Sequence, residues 1–300
     1  MKIFITGGTG FIGSKIITQL INLDYDIMIL SRKIIKVDSN KKSKVVFLES
    51  TLPLSEPNLK TIKDYRPEVI LDFAWEGIPD FSYNMSFLNL VNHVKLIKQL
   101  SSIESVSKFI ISGSCWEYNT RCGICNESEN VNSESHFTWA KNSIREFLEI
   151  ECRKQNISYY WTRIFYVYGP NQRQNSIIPM LVSKMINNED IIINNPNNSC
   201  DYIYIDDLVS GIIQIIQNNP QSGIYNFGSG KSTKVIDIVK MVENAVLGTD
   251  IYYSRMLNST LSTEYDFWAD MAKSHIELNW TPTIELQEGI KKYINFTRNE

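Results

Sequence analysis

Eight residues near the start of the chain limit its fold more than any others: Thr6-Gly7-Gly8-Thr9-Gly10-Phe11-Ile12-Gly13. They follow an apolar run, 2 to 6, that reads as a buried strand, and they open a stretch, 11 to 22, that reads as a helix. In that setting the glycines at 7, 10 and 13 each have a purpose. Gly7 permits a tight turn, Gly10 lets the backbone approach a pyrophosphate, and Gly13 allows close helix packing, while the helix N-terminus faces the negative charge. A plain tight turn is the competing reading.

Apolar runs at 26 to 30, 45 to 48, 69 to 73 and 108 to 112 continue the strand pattern. Helical stretches near 58 to 65, 85 to 100 and 136 to 154 alternate with them. A further run, Tyr159 to Phe165, completes a six-stranded, doubly wound parallel sheet, so the expected class is α/β of Rossmann type. At 300 residues and 43% hydrophobic, the chain is long and apolar enough to bury that core. After Gly169-Pro170 the rhythm changes: helices near 176 to 187, 206 to 218, 234 to 246 and from 284 onward mix with short strands and an Asn-rich loop at 194 to 199. Residues 1 to 170 are expected to form the dinucleotide domain. Residues 171 to 300 are expected to form a smaller mixed α/β lobe, mainly substrate-binding, with some segments returning to the first core. Open α/β sheets bind ligands beyond the carboxyl ends of their strands, which makes the cleft between the lobes the expected active site.

The formal net charge of -3 argues against a nucleic-acid partner, which would call for a basic stripe or patch. Neither a secretory h-region nor an apolar run of the ~18 residues needed to span a membrane is present, so a cytoplasmic protein without membrane partners is expected. Five cysteines, at 115, 122, 125, 152 and 200, then read as free thiols. Cys122-Gly-Ile-Cys125 lacks a second CxxC or paired histidines, and reads as a loop with two thiols rather than a metal site. Triplets such as Asn258-Ser259-Thr260 would matter only in a secreted chain.

Dinucleotide folds usually hold the adenosine ribose with an acidic residue at the end of the second strand. Here that strand ends Ile29-Leu30-Ser31-Arg32-Lys33, with no carboxylate. Ser31 can donate a hydrogen bond and Arg32 a bidentate pair to a 2'-phosphate, which favours NADP over NAD. The competing reading makes Arg32 and Lys33 the solvated start of a loop over 33 to 44.

Further landmarks follow in order: Asn89 on the third helix, Ser112-Gly-Ser114-Cys-Trp-Glu-Tyr118, Arg163-Ile-Phe-Tyr-Val-Tyr-Gly169-Pro170, Asp201-Tyr-Ile-Tyr-Ile-Asp206-Asp207 and Gly223-Ile-Tyr-Asn-Phe-Gly-Ser-Gly230. With the glycine turn they make the chain resemble the extended short-chain dehydrogenase/reductase family, especially its nucleotide-sugar reductases, epimerases and dehydratases, along nearly the whole length. The resemblance implies a cofactor held by Gly7, Thr9, Gly10, Phe11, Ile12, Gly13, Ser31, Arg32, Thr51, Leu52, Ala74, Trp75 and Lys141. In this family a Tyr-x-x-x-Lys pair carries the acid/base work, while a nearby Ser or Thr polarises the carbonyl. The match assigns Ser114 and Lys141, but the tyrosine position holds Phe137. Three readings follow: a natural departure with another donor (Ser114, His136 or water), an engineered Tyr→Phe change, or a cofactor-dependent binder without catalysis.

The family's 4,6-dehydratases carry Asp-Glu where this chain has Cys115-Trp116, and its epimerases mostly retain NAD through the acidic residue missing here. The resemblance therefore implies reduction, by NADPH, of the C4 ketone of a nucleotide-linked 4-keto-6-deoxy hexose, dTDP being the expected carrier, for surface polysaccharide synthesis. Glu76, Cys115, Trp116, Tyr166, Arg173, Asn175 and Ser176 are the implied substrate contacts. Cys200 stands where the family commonly has an arginine. A homodimer through a four-helix bundle of helices 85 to 100 and 136 to 154 is also implied. A nucleotide-sugar epimerase and a non-catalytic dinucleotide-binding regulator remain as alternatives.

Overall fold

The computed structural model describes residues 1–33, 44–119, 121–131, 133–256 and 264–299. The loop expected over 33 to 44 lies outside the described residues except for Lys33 and Lys44, as does Asn258-Ser259-Thr260. Numbered along the chain, the first strands are β1 Lys2–Thr6, β2 Asp26–Ser31, β3 Val45–Glu49, β4 Val69–Asp72, β5 Lys108–Ser112 and β6 Cys122–Cys125. The first helices are α1 Phe11–Asn22, α2 Glu56–Tyr65, α3 Tyr83–Leu100 and α4 His136–Gln155. There follow β7 Ser158–Ile164, β8 Tyr166–Tyr168, β9 Ser199–Tyr204, β10 Gly223–Phe227, β11 Ser232–Lys234 and β12 Asp266–Ala269. The remaining helices are α5 Ile177–Ile186, α6 Ile205–Asn218, α7 Val235–Val246, α8 Ile251–Met256, α9 Ala272–Leu278 and α10 Leu286–Arg298.

Two compact units divide the chain: Met1–Asn119 with Asn130–Arg163 and Ile212–Tyr225, and Thr120–Glu129 with Ile164–Gly211 and Asn226–Glu300. The first is built on a sheet of order β10-β7-β5-β4-β1-β2-β3. Its β1–β2, β1–β4, β2–β3, β4–β5 and β5–β7 pairs are all parallel. The sheet has seven strands where the sequence suggests six, because Gly223–Phe227 adds itself beside β7. Interior strands are buried on both faces and so read as unbroken apolar runs: Ile3, Phe4 and Ile5 of β1 are fully buried. Edge strand β3 is only half-buried.

On α1, Gly13, Ile16, Ile17, Leu20 and Ile21 fall on the buried face at helical spacing. Ser135 begins α4 with a capping box closed by Thr138, and Asn156 ends it in the left-handed conformation at φ 56°. The core joins Phe4, Ile70 and Phe109 of the sheet to Leu96 and Ile97 of α3 and Ile144 and Leu148 of α4. Strand order fixes where a ligand belongs. The chain runs outward through β1, β2 and β3, then returns to β4 on the other side of β1. The carboxyl ends of β1 and β4 thus flank the reversal, where open α/β sheets form their crevice.

The second unit holds a mixed sheet of order β11-β9-β12-β6, with β8 pairing β9. One expectation is corrected here: Cys122–Cys125 is not a loop but strand β6, parallel to β12 in the register Asp266↔Cys122. Both cysteines are free thiols. Asp201 pins this unit: its carboxylate accepts from Ser229 N (2.6 Å), Ser229 Oγ (2.6 Å), Gly230 N (2.9 Å) and Ala269 N (3.1 Å). Asp207 accepts from Thr283 Oγ1 at 3.0 Å and Ile284 N at 2.8 Å. The aspartates of the 201 to 207 motif thus tie strand to turn and helix to chain end. Among the described residues, no helix is long and apolar enough to cross a membrane.

Candidate active site

The glycine turn sits against the segment that follows β4. A Cβ on Gly7, at φ +69°, would come within 2.6 Å of Phe73 and Ala74 backbone atoms, and one on Gly13 would overlap the Gly7 carbonyl oxygen. Gly10 is the N-cap of α1 and has no side chain to occupy the first-turn amides, those of Phe11, Ile12 and Gly13. An uncapped helix start with its backbone exposed at glycine suits a diphosphate.

Gly7, Thr9, Gly10, Ser31, Arg32, Thr51, Leu52, Ala74 and Trp75 line a single groove of about 230 Å³ at the β1/β4 reversal. The structure brings these nine sequence-assigned residues together. Glu76, assigned to the sugar, lines the same groove and pairs with Arg32, Nη1 to Oε1 at 3.2 Å. Asn89 acts on this loop through its backbone: its Oδ1 accepts from Glu76 N at 2.8 Å and its Nδ2 donates to Glu76 O at 3.0 Å. Trp75 lines the groove, and its indole Nε1 is buried without a hydrogen-bond partner. Together these features fit a dinucleotide.

Sequence reasoning missed a buried cluster behind the groove. Asp72, at the end of β4, accepts from Thr6 Oγ1 at 2.5 Å and meets His93 Nδ1 at 2.6 Å. Burial works to raise the Asp72 pKa, but the adjacent His93, the Thr6 bond and Lys141 outweigh it and hold the carboxyl below the usual range. Trp75 stacks on the His93 ring at 5.8 Å. An aspartate ending an otherwise apolar strand was the available signal, since an acid is rarely buried without partners.

Ser114 follows β5 and caps the short turn Cys115–Glu117, its Oγ accepting from Trp116 N at 3.2 Å. Glu117 is wholly buried. Its carboxylate accepts from Ser114 N (2.7 Å), Trp161 Nε1 (2.8 Å) and Arg163 Nε (3.2 Å), and the Arg163 guanidinium lies 4.4 Å from the Tyr118 ring centroid. Any side chain at Gly113 would strike Trp161 and Glu117, which explains the glycine between two serines. This fully paired ion cluster fixes the Ser114 backbone.

Lys141 is buried on α4, donates from Nζ to Ser112 O at 2.7 Å and lies 4.2 Å from the Trp75 ring centroid. Burial lowers its pKa to about 8, against the opposing pull of Glu117 and Asp72. One turn earlier, Phe137 packs edge-on against Trp75 at 5.2 Å and tilted against Phe81 at 4.8 Å. The phenyl ring fills the place of the expected acid with no hydroxyl. His136 is exposed and meets the Tyr83 ring edge-on at 5.4 Å. Cys115 is buried and Trp116 half-buried beside Ser114.

Four remaining sequence-assigned residues belong to the second unit. Tyr166 stands on β8 with its ring 5.5 Å from Tyr202. Exposed Arg173 and Asn175 lead to Ser176, the N-cap of α5, whose side chain makes no cap bond. Cys200 is buried on β9, and burial pushes its thiol up to about 12. Among the described residues no His, Cys, Asp and Glu cluster is arranged to hold a metal ion.

The match to the model of the NAD dependent epimerase/dehydratase family spans residues 3–228. The chain is 25% identical to a putative UDP-glucose 4-epimerase of Methanocaldococcus jannaschii, over 99% of this chain and 98% of that one. It is also 25% identical to dTDP-4-dehydro-6-deoxyglucose reductase of Escherichia coli, over 99% and 97%, and 23% identical to CDP-abequose synthase of Salmonella muenchen, over 98% and 97%. Among solved structures, UDP-glucose 4-epimerase from Thermotoga maritima with UDP-glucose superposes with a TM-score of 0.85 at 23% identity, covering 100% of this chain and 99% of that one. The glycine turn, the Ser114 and Lys141 arrangement and this match agree: the chain belongs to the NAD-dependent epimerase/dehydratase family, in the extended short-chain dehydrogenase/reductase group.

Proposed function

We propose that the chain is built to reduce, with NADPH, the C4 ketone of a nucleotide-linked 4-keto-6-deoxy hexose, most simply the dTDP sugar, in the cytoplasm for surface polysaccharide synthesis. The observation that carries this reading is Arg32, which lines the dinucleotide groove at the end of β2 where an acidic residue would hold the ribose of NAD. A guanidinium suits a 2'-phosphate, and a cofactor that is consumed suits a reductase. The likeness to the Escherichia coli reductase and the Salmonella synthase supports the substrate class.

Bound NADPH supplies the hydride to the ketone carbon; the protein must hold the ketone oxygen and deliver a proton to it. Ser114 is assigned to the oxygen and Lys141 to the nicotinamide ribose, its ammonium oriented by Ser112 O and the Trp75 face. Phe137 leaves the proton without its usual source. Glu76, Cys115 and Trp116 are assigned to the sugar, Tyr166 to the substrate, and Arg173, Asn175 and Ser176 to its diphosphate or base, with arginine suited to the diphosphate.

The test is the Phe137→Tyr protein with NADPH and dTDP-4-keto-6-deoxyglucose. Consumption of NADPH, faster than in the parent chain by roughly 10²-fold or more, is expected if the hydroxyl is the missing acid. No consumption with dTDP-, GDP- or CDP-linked keto sugars would overturn the reading. Likeness to the putative epimerase supports a second reading, an epimerase that purifies with NAD and consumes no added NADPH. Phe137 supports a third, a regulator that binds dinucleotide but no sugar nucleotide.

A further inference from the structure

Resting on the NADP reading, we infer that Glu76 sets the cofactor preference by competing with the 2'-phosphate for Arg32. The two side chains meet across the adenosine end of the groove, Arg32 Nη1 to Glu76 Oε1 at 3.2 Å. They are 74% and 49% exposed, so the pair opens readily to water and to an incoming ligand.

The backbone that carries the carboxylate is held in place. Asn89, itself buried, holds both the N–H and the carbonyl of Glu76, and its Nδ2 also reaches Met85 O at 2.8 Å. Gly77 follows at φ +85°, where a Cβ would press on the Met85 side chain. A fixed backbone therefore presents the carboxylate to Arg32. A phosphate monoester carrying about -1.5 to -2 charges must displace that carboxylate from the guanidinium and then remain beside it. The free 2'-hydroxyl of NADH meets no such opposition, because it can donate to the carboxylate. Glu76 thus offsets part of what Arg32 contributes and keeps NADH within reach of a site that would otherwise strongly prefer NADPH.

The experiment measures NADPH and NADH affinities by fluorescence titration of the full chain, which needs no turnover. The proteins are the parent, Glu76→Gln, Arg32→Gln and the double variant, each checked for an unchanged thermal melt. Glu76→Gln keeps its backbone bonds to Asn89 and is expected to tighten NADPH roughly three- to tenfold, the scale of an exposed ion pair plus a nearby like charge. That gain should shrink at high salt. Arg32→Gln is expected to weaken NADPH more than NADH, and Glu76→Gln added to it should give a smaller gain than in the parent. If Glu76→Gln leaves NADPH affinity unchanged or weaker while Arg32→Gln lowers it, the role of Glu76 is overturned and the NADP reading stands. If Arg32→Gln does not lower NADPH affinity, the NADP reading fails and the role of Glu76 falls with it.

Discussion

Lys141 is a buried ammonium whose pKa lies at about 8, and its titration has two separable consequences. Below about pH 8 the lysine is protonated in the folded and unfolded chain alike, and the burial penalty on its charge is fully present. As pH rises from there toward the ordinary lysine value of 10.5, the folded chain has released a proton that the unfolded chain retains. Its contribution to stability therefore improves over that window. Binding runs the other way, because the cation assigned to the cofactor ribose is lost as pH rises through about 8. NADPH affinity should fall across that pH in the parent and not in Lys141→Met; equal pH dependence in both would remove Lys141 from the cofactor. Glu117 makes a second prediction at this scale. Replacing it by Gln leaves Arg163 buried beside a neutral partner and should cost roughly 3–5 kcal/mol, seen as a lower urea midpoint at unchanged slope. An unchanged midpoint would mean that the cluster does not hold the Ser114 turn.

At the scale of elements, α3 and α4 pack together, and Tyr83, Phe87 and Leu88 of α3, Ile150 of α4 and Phe81 just before α3 are exposed. Exposed apolar side chains of this size on and beside two adjoining helices are what the pairing of two copies would cover. Pairing of two copies through a four-helix bundle predicts a dimer by light scattering and a monomer for Phe87→Glu with Leu88→Glu; a monomeric parent would contradict it. How much of the architecture is legible in the sequence depends on whether an element carries its own signal. Strands β1, β2, β4 and β5 are legible because parallel strands buried on both faces are continuous apolar runs. Helix α4 is legible from its apolar spacing, which also places Lys141 one turn after Phe137. Strand β6 is not legible, because Cys122–Cys125 becomes a strand only through β12, far along the chain. The same limit hides the Asp72–His93 pair, which joins the end of β4 to α3, and the Glu117–Arg163 pair, which joins the turn after β5 to β7. Glu76 is the instructive case: the motif assigns it to the sugar, and the folded loop turns its carboxylate to Arg32.

For the whole molecule, the retained features and the missing one divide cleanly. The glycine turn, the groove at the strand reversal, Ser114 on its buried carboxylate and Lys141 on its carbonyl are in place. The hydroxyl expected at 137 is absent, and an aromatic ring of the same shape occupies its place between Trp75 and Phe81. A chain of this kind should bind before it turns over, and should turn over once the hydroxyl is restored. Following the hydride itself tests that claim most directly: Phe137→Tyr protein is supplied with NADPH deuterated at the transferring position and dTDP-4-keto-6-deoxyglucose, and the sugar product is weighed by mass spectrometry. One deuterium incorporated at C4 of a reduced sugar is expected for each NADPH oxidised. A product without deuterium, or an epimerised sugar formed with no NADPH oxidised, would contradict it.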